Sequence, residues 1–276
     1  MHRKRVEPAG TQKYATLDEF LASNPQAGTH AIKAGKQWLD ILFEDRGSDT
    51  TLVSFHGAAT SKIKRLPYFS GKGIAESLGW NLIALSDPSL MMGDIDLAWF
   101  IGNRAIGQLR DRLSPAIRHI LGSTKPVLFV GSGGAYSAIW FAQDFPDCSV
   151  VVFNPRLHLS AKPESAMPTY MSVCHKTSKP VSPRAIRRNF VVEDLGEYYK
   201  DGFPFNLYII QNSGDKPFYR HQVKPFLERH QDDPKVHALI DYFGGGHKAV
   251  IPQDLLRECL RTARETAKPQ VFTPGL

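Results

Sequence analysis

Serine is a poor nucleophile at neutral pH unless a base takes its proton, and the base needs a carboxylate to hold its tautomer. The chain has one serine in a setting suited to this: Ser132, in the run PVLFVGSGGAYSA from Pro126 to Ala138. Val127, Leu128, Phe129 and Val130 are a short apolar run, the pattern of a strand buried on both faces. From Ala135 to Ala142 the pattern is helical. Strand, tight turn with a central serine, helix: this layout holds a nucleophile out of the backbone. Glycines at 131, 133 and 134 let strand and helix approach closely. The helix start offers unpaired N–H groups, that of Gly133 first, to a developing oxyanion. In the G-x-S-x-G frame the first position is Val130, a departure from the usual small residue. Other glycine-rich readings fit worse. A dinucleotide fingerprint would need glycine where Tyr136 stands, and no Gly-Lys-Ser/Thr triplet exists for a phosphate loop.

Two residues downstream complete the chemistry. Asp215 closes QNSGD after an apolar run over 205–210. His247 follows Gly244, Gly245 and Gly246 after a run over 236–242. Serine, acid and histidine thus come in that order, each just beyond an expected strand, with a glycine-rich loop to swing the imidazole over the serine. Upstream, His56, Gly57 and Ala58 close another strand, where Gly57 or Ala58 can supply a second oxyanion donor. Competing assignments stand beside these. Asp215 could instead cap a helix running from Phe218. Glu193 and Asp194 are alternative acids, and His158, His221 and His230 alternative histidines. Ser137 lies inside the helix and is poorly placed to attack.

These residues need a scaffold. Strands are expected over 38–43, 51–55, 81–85, 127–130, 149–153, 205–210 and 236–242. Helices are expected over 16–21, 135–142, 218–230 and 255–267, and residues 94–120 are expected to be mostly helical despite Gly102, Gly107 and Pro115. Alternating strands and helices with apolar strands predict an α/β fold: a three-layer sandwich of mostly parallel sheet with helices on both faces. Ligands then sit beyond the carboxyl ends of the strands, where Ser132, Asp215 and His247 fall. The domain is expected to run over 16–268, after a flexible basic arm at 1–15 and before a flexible tail at 269–276. Residues 156–204, rich in proline and basic residues, break the rhythm and read as an inserted lid, helical around 182–197.

Composition narrows the classes. The chain has 276 residues, 42% of them hydrophobic, enough for one substantial core. No apolar run approaches the ~18 residues that span a bilayer. The N-terminus is basic but lacks the apolar stretch of a secretory signal. Three cysteines without metal-ligand spacing argue for a reducing compartment, so a cytoplasmic location is expected. The net charge of +7 comes without a nucleic-acid motif or long Lys/Arg run, and reads as a solvated basic face. Neither a metal nor an organic cofactor is needed for serine-based acyl transfer.

Four blocks, FVGSGGAYSA, NLIALSDPSL, YIIQNSGD and GGGHKAVIP, together resemble the α/β-hydrolase family. More narrowly they resemble its bacterial polysaccharide-associated branch, which includes the esterase-like component of the accessory Sec system. The resemblance implies Ser132 as nucleophile, Asp215 as acid and His247 as base. It also implies an acyl-ester substrate such as an O-acetylated glycan. The alternative is a catalytically inactive relative that binds a glycan or protein partner through the basic insert.

Overall fold

Six apolar runs in the chain become neighbouring parallel strands. The structure is a computed structural model that describes residues 3–60, 62–178, 180–189 and 191–268; the expected tail at 269–276 lies outside these. The first half of the chain gives β1 (Lys4–Arg5), β2 (Gln12–Tyr14), α1 (Leu17–Leu21), β3 (Gly28–Ala34), β4 (Gln37–Glu44), β5 (Thr50–Ser54), β6 (Arg65–Leu66), α2 (Lys72–Leu78) and β7 (Asn81–Ser86). Then follow β8 (Gly102–Asn103), β9 (Gly107–Gln108), α3 (Arg110–Leu121), β10 (Lys125–Gly131), α4 (Ala135–Ala142) and β11 (Ser149–Phe153). The last part gives α5 (Met167–His175), α6 (Pro183–Arg188), α7 (Leu195–Tyr198), β12 (Asn206–Asn212), α8 (Lys216–Phe218), α9 (Lys224–Arg229), β13 (Val236–Asp241) and α10 (Gln253–Thr266).

Nine strands form one sheet in the order β13-β12-β11-β10-β5-β7-β4-β3-β2. Only β4 runs against the others. Because side chains alternate along a strand, each central strand feeds two cores. Leu128 and Val130 of β10 join the core under α3, α4 and α7, while Val127 and Phe129 join the one under α2 and α10. The result is the three-layer α/β sandwich expected, with the six apolar runs adjacent in the sheet and β13 at its edge.

The departures are local and have physical causes. Residues 3–14, expected as part of a flexible arm, supply β1, which pairs with β6, and β2, which pairs with β3. Arg3 is buried and donates to the carbonyls of Ala59 and Ile63 and to Asp96 at 2.6 Å. A basic residue in an arm-like sequence thus becomes a buried clamp, because backbone carbonyls and one carboxylate satisfy it. Thr16 caps α1 by accepting the Glu19 N–H at 3.0 Å, and the Glu19 carboxylate accepts the N–H of Ala15, one residue before the cap. The expected helix over 94–120 begins only at Arg110. Trp99 and Phe100, both fully buried, hold left-handed φ of 52° and 53°. The buried Asp87 carboxylate captures the Phe100 N–H at 2.8 Å, and β8 and β9 form a small hairpin instead.

The insert over 156–204 contributes the unexpected α5 besides α6 and α7. It packs on α4: the Tyr136 hydroxyl donates to Val192 O at 2.8 Å and that of Tyr199 to Ile139 O at 3.0 Å. The insert therefore thickens one helical layer, burying Tyr170, Leu195 and Phe203. Among the described residues no helix is long and apolar enough to cross a membrane.

Candidate active site

The turn after β10 carries Ser132 at φ 56°, a conformation that costs a non-glycine residue roughly 1–2 kcal/mol. The strain is held by the packing around it. Gly134, the residue before α4, lies directly over β10. A Cβ there would lie 2.4 Å from Val130 Cγ2 and 2.7 Å from His56 O. The larger residue at 130 is therefore accommodated by the absence of one at 134. Strand and helix still cross closely, with Val130 buried between them.

The structure brings Ser132, His247 and Asp215 into one line. Ser132 Oγ lies 2.6 Å from His247 Nε2, and His247 Nδ1 lies 2.5 Å from Asp215 Oδ2. Asp215 is 1% exposed. It occupies the position before α8, yet its side chain makes no capping bond there; the carboxylate turns to the histidine instead. The imidazole is stacked on Phe218, with centroids 4.1 Å apart and planes 22° apart, and Arg156 lies over the Phe218 ring. This aromatic wall fixes the plane in which Nδ1 and Nε2 point. An imidazole so placed can accept a hydroxyl proton at Nε2 while donating Nδ1–H to the carboxylate.

Asn212, fully buried at the end of β12, anchors the histidine loop. Its Nδ2 donates to Gly244 O at 2.9 Å and Gly246 O at 3.2 Å, and its Oδ1 accepts from the N–H groups of Gly214 and Phe243, each at 3.0 Å. The two loops cross at Gly214, where a Cβ would sit 2.0 Å from Gly244 O. Sequence reasoning missed Asn212 and Phe218; the only signal for the first was its place in an Asn-Ser-Gly turn, and for the second its nearness to Asp215.

Four of the competing residues are engaged elsewhere. Glu193 accepts from Ser160, and Asp194 caps α7 and pairs with Arg229 at 3.0 Å. His158 Nδ1 accepts two backbone N–H groups of the insert, and His230 bonds Gly196 O at 3.0 Å. Ser137 is buried inside α4.

On the oxyanion side, Gly57 and Ser132 line the same recess, and a Cβ on Gly57 would be 3.5 Å from Gly131 O. Ala58 follows it, exposed, and Gly133 follows Ser132, buried. His56 governs this loop. Its Nε2 accepts Asp87 N–H at 3.1 Å, so Nδ1 carries the proton and donates to Gly57 O at 2.8 Å. A trans peptide unit is planar, so holding the Gly57 carbonyl aims the Ala58 N–H the opposite way. Burial lowers the His56 pKa to about 4 and raises that of Asp87 to about 6. A depressed histidine binds fewer protons folded than unfolded. The stability it contributes is therefore present above its ordinary value of 6.5 and lost as pH falls through 4.

No protein-family model matches the chain, and no curated protein matches it in sequence. Solved structures do match. The capsule O-acetyltransferase of Neisseria meningitidis serogroup A superposes with a TM-score of 0.61 at 15% identity, covering 88% of this chain and 97% of that one. An S-formylglutathione hydrolase from Agrobacterium tumefaciens gives 0.59 at 15% identity, covering 88% and 97%. The glycosylation-associated Gap123 complex from Streptococcus agalactiae gives 0.57 at 13% identity, covering 85% of this chain and 45% of that one. At such identities the fold is what is shared, and it is the α/β-hydrolase fold.

Proposed function

We propose that the protein is a serine-dependent acyl-ester hydrolase or acyltransferase in which Ser132 is the nucleophile, His247 the base and Asp215 its orienting acid. The observation that carries this reading is the unbroken line from Ser132 Oγ through both ring nitrogens of His247 to a buried carboxylate. Ser132 Oγ forms a bond to the acyl carbon as His247 Nε2 takes its proton. The carbonyl oxygen becomes an oxyanion facing the N–H groups of Gly133 and of Gly57 or Ala58, each donor worth ~3 kcal/mol of barrier. The C–O bond to the leaving group then breaks as Nε2–H protonates that oxygen. Water or a second alcohol repeats the sequence on the acyl-enzyme, giving hydrolysis or transfer. Neighbours in fold that are an O-acetyltransferase and a hydrolase support this class of chemistry. Two neighbours in fold, a capsule O-acetyltransferase and a glycosylation-associated complex, favour a glycan as the alcohol component of the ester. The test is covalent labelling of the intact protein by a fluorophosphonate. A label lost in Ser132→Ala supports the reading; a folded, unlabelled protein that turns over no p-nitrophenyl ester favours the inactive glycan- or partner-binding alternative.

Two positioning residues yield further expectations. His56→Ala removes the group that aims the Ala58 N–H, and should lower kcat by about ten- to a hundredfold with KM little changed. Equal loss in kcat and KM effects, or none, counts against it. Asn212→Ala leaves four backbone groups without their partner and unpins the histidine loop. It should lower thermal stability by ~2–3 kcal/mol and kcat by about a hundredfold. Calorimetry and ester kinetics on the same sample check both.

A further inference from the structure

Two recesses meet at Ser132, and their chemistry differs. The first, about 530 Å³, descends between α2 and α10 and is walled by Phe55, Ile74, Phe129, Val130, Phe153 and Leu256. No charged side chain lines it. Away from Ser132 and Gln253, which line both recesses, its hydroxyls are already engaged: Ser54 and Ser70 lie 3.2 Å apart, and Ser70 donates to Phe55 O at 2.8 Å. The second recess, about 280 Å³, shares Ser132, Phe153, Gln253 and Leu256 with the first and adds Asn154, His247 and the residues that follow it. There Lys248 is exposed and makes no ion pair among the described residues.

Proton transfer distinguishes the two. When the tetrahedral adduct breaks down, Nε2–H must reach the leaving oxygen, so the leaving group lies on the side of His247. The oxyanion faces Gly133 and the loop at Gly57. The remaining substituent on the acyl carbon is the chain itself. The first recess contains Gly57, Gly131 and Ser132 but not His247, and it is the uncharged one. We propose that the recess between α2 and α10 binds the acyl chain, and that the chain it fits is a medium-length aliphatic acyl group rather than acetyl. This rests on the acyl-transfer reading above. An acetyl group would leave the half-buried Phe153 and Ile74 in water, whereas each methylene buried against them strengthens transition-state binding by about fourfold. The polar or anionic part of the substrate then stays at the mouth held by His247 and Lys248.

Gly73, in the first turn of α2, gives the handle. It lines the recess, and a Cβ built on it meets nothing within 4 Å. A phenylalanine there has room to lean into the cavity. The experiment measures kcat/KM of the full chain on p-nitrophenyl acetate, butyrate, hexanoate and octanoate, for wild type and Gly73→Phe, with fluorophosphonate labelling in parallel. The expected result is a rise of about fourfold per methylene from acetate to hexanoate. In Gly73→Phe the octanoate-to-acetate ratio should fall by tenfold or more. Ile74→Trp, filling the recess from the next position, serves if Gly73→Phe does not fold. A labelled enzyme that prefers acetate, or a folded variant with an unchanged ratio, overturns the acyl-chain assignment and leaves the hydrolase reading standing. A protein that neither labels nor turns over any ester overturns both.

Discussion

Ser132→Ala is expected to lower ester turnover by roughly a millionfold, to the level that binding and oxyanion donors alone can supply. Without Oγ there is no atom to form the acyl-enzyme, and His247 has no proton to accept. The geometry makes the loss specific. The hydroxyl sits 2.6 Å from Nε2 and the backbone holds it at φ 56°, so no neighbouring side chain can take over. Alanine keeps the strained turn, and its melting temperature should stay within a few degrees of wild type. Ser132→Gly relieves the strain and should be more stable by ~1 kcal/mol while equally inactive. Pre-steady-state kinetics provide the check: wild type should show a burst of p-nitrophenol equal to the enzyme present, and both variants none. A variant with more than a hundredth of wild-type turnover would mean that the attacking group lies elsewhere.

Asp215→Asn should cost about four orders of magnitude in kcat with little effect on KM. The carboxylate accepts from Nδ1 at 2.5 Å, which forces the imidazole proton onto Nδ1 and leaves Nε2 free to accept from serine. An amide can present its NH₂ to Nδ1, and the ring then carries its proton on Nε2, facing the hydroxyl it should deprotonate. Because Asp215 is buried beside Phe218, no water replaces the carboxylate. The folded state should change little, since the two side chains have one shape. Nuclear magnetic resonance of the His247 ring nitrogens would report the tautomer directly. A loss below tenfold would show that the carboxylate does not orient the base.

Much of the frame is readable from the chain. The runs that became β5, β7, β10, β11 and β12 are short and apolar because both sheet faces are covered; the run that became β13 is apolar too, yet it lies at the sheet edge with Leu239 and Ile240 exposed. Serine, acid and histidine each follow one of those runs. What escaped was set by contacts distant in sequence. β2 is Gln-Lys-Tyr, too polar to read as a strand, and exists because it pairs along β3. Arg3 looks like a solvated charge until the carbonyls around it are known. Residues 94–109 carry helix-like composition, but the carboxylate of Asp87 claims the backbone first. Val130 looked like a defect in the motif because its partner, Gly134, was judged by its own position rather than by the space it leaves.

Acid and base hang from a single peg. Asn212 ties the turn bearing Asp215 to the loop bearing His247, while the serine is mounted separately, two strands away on β10. A shear between β10 and β12 would carry the carboxylate and imidazole along together and leave their spacing untouched. Only the gap between ring and hydroxyl would open. Fluctuations of this scaffold should therefore gate the first proton transfer without disturbing the tautomer on which it depends.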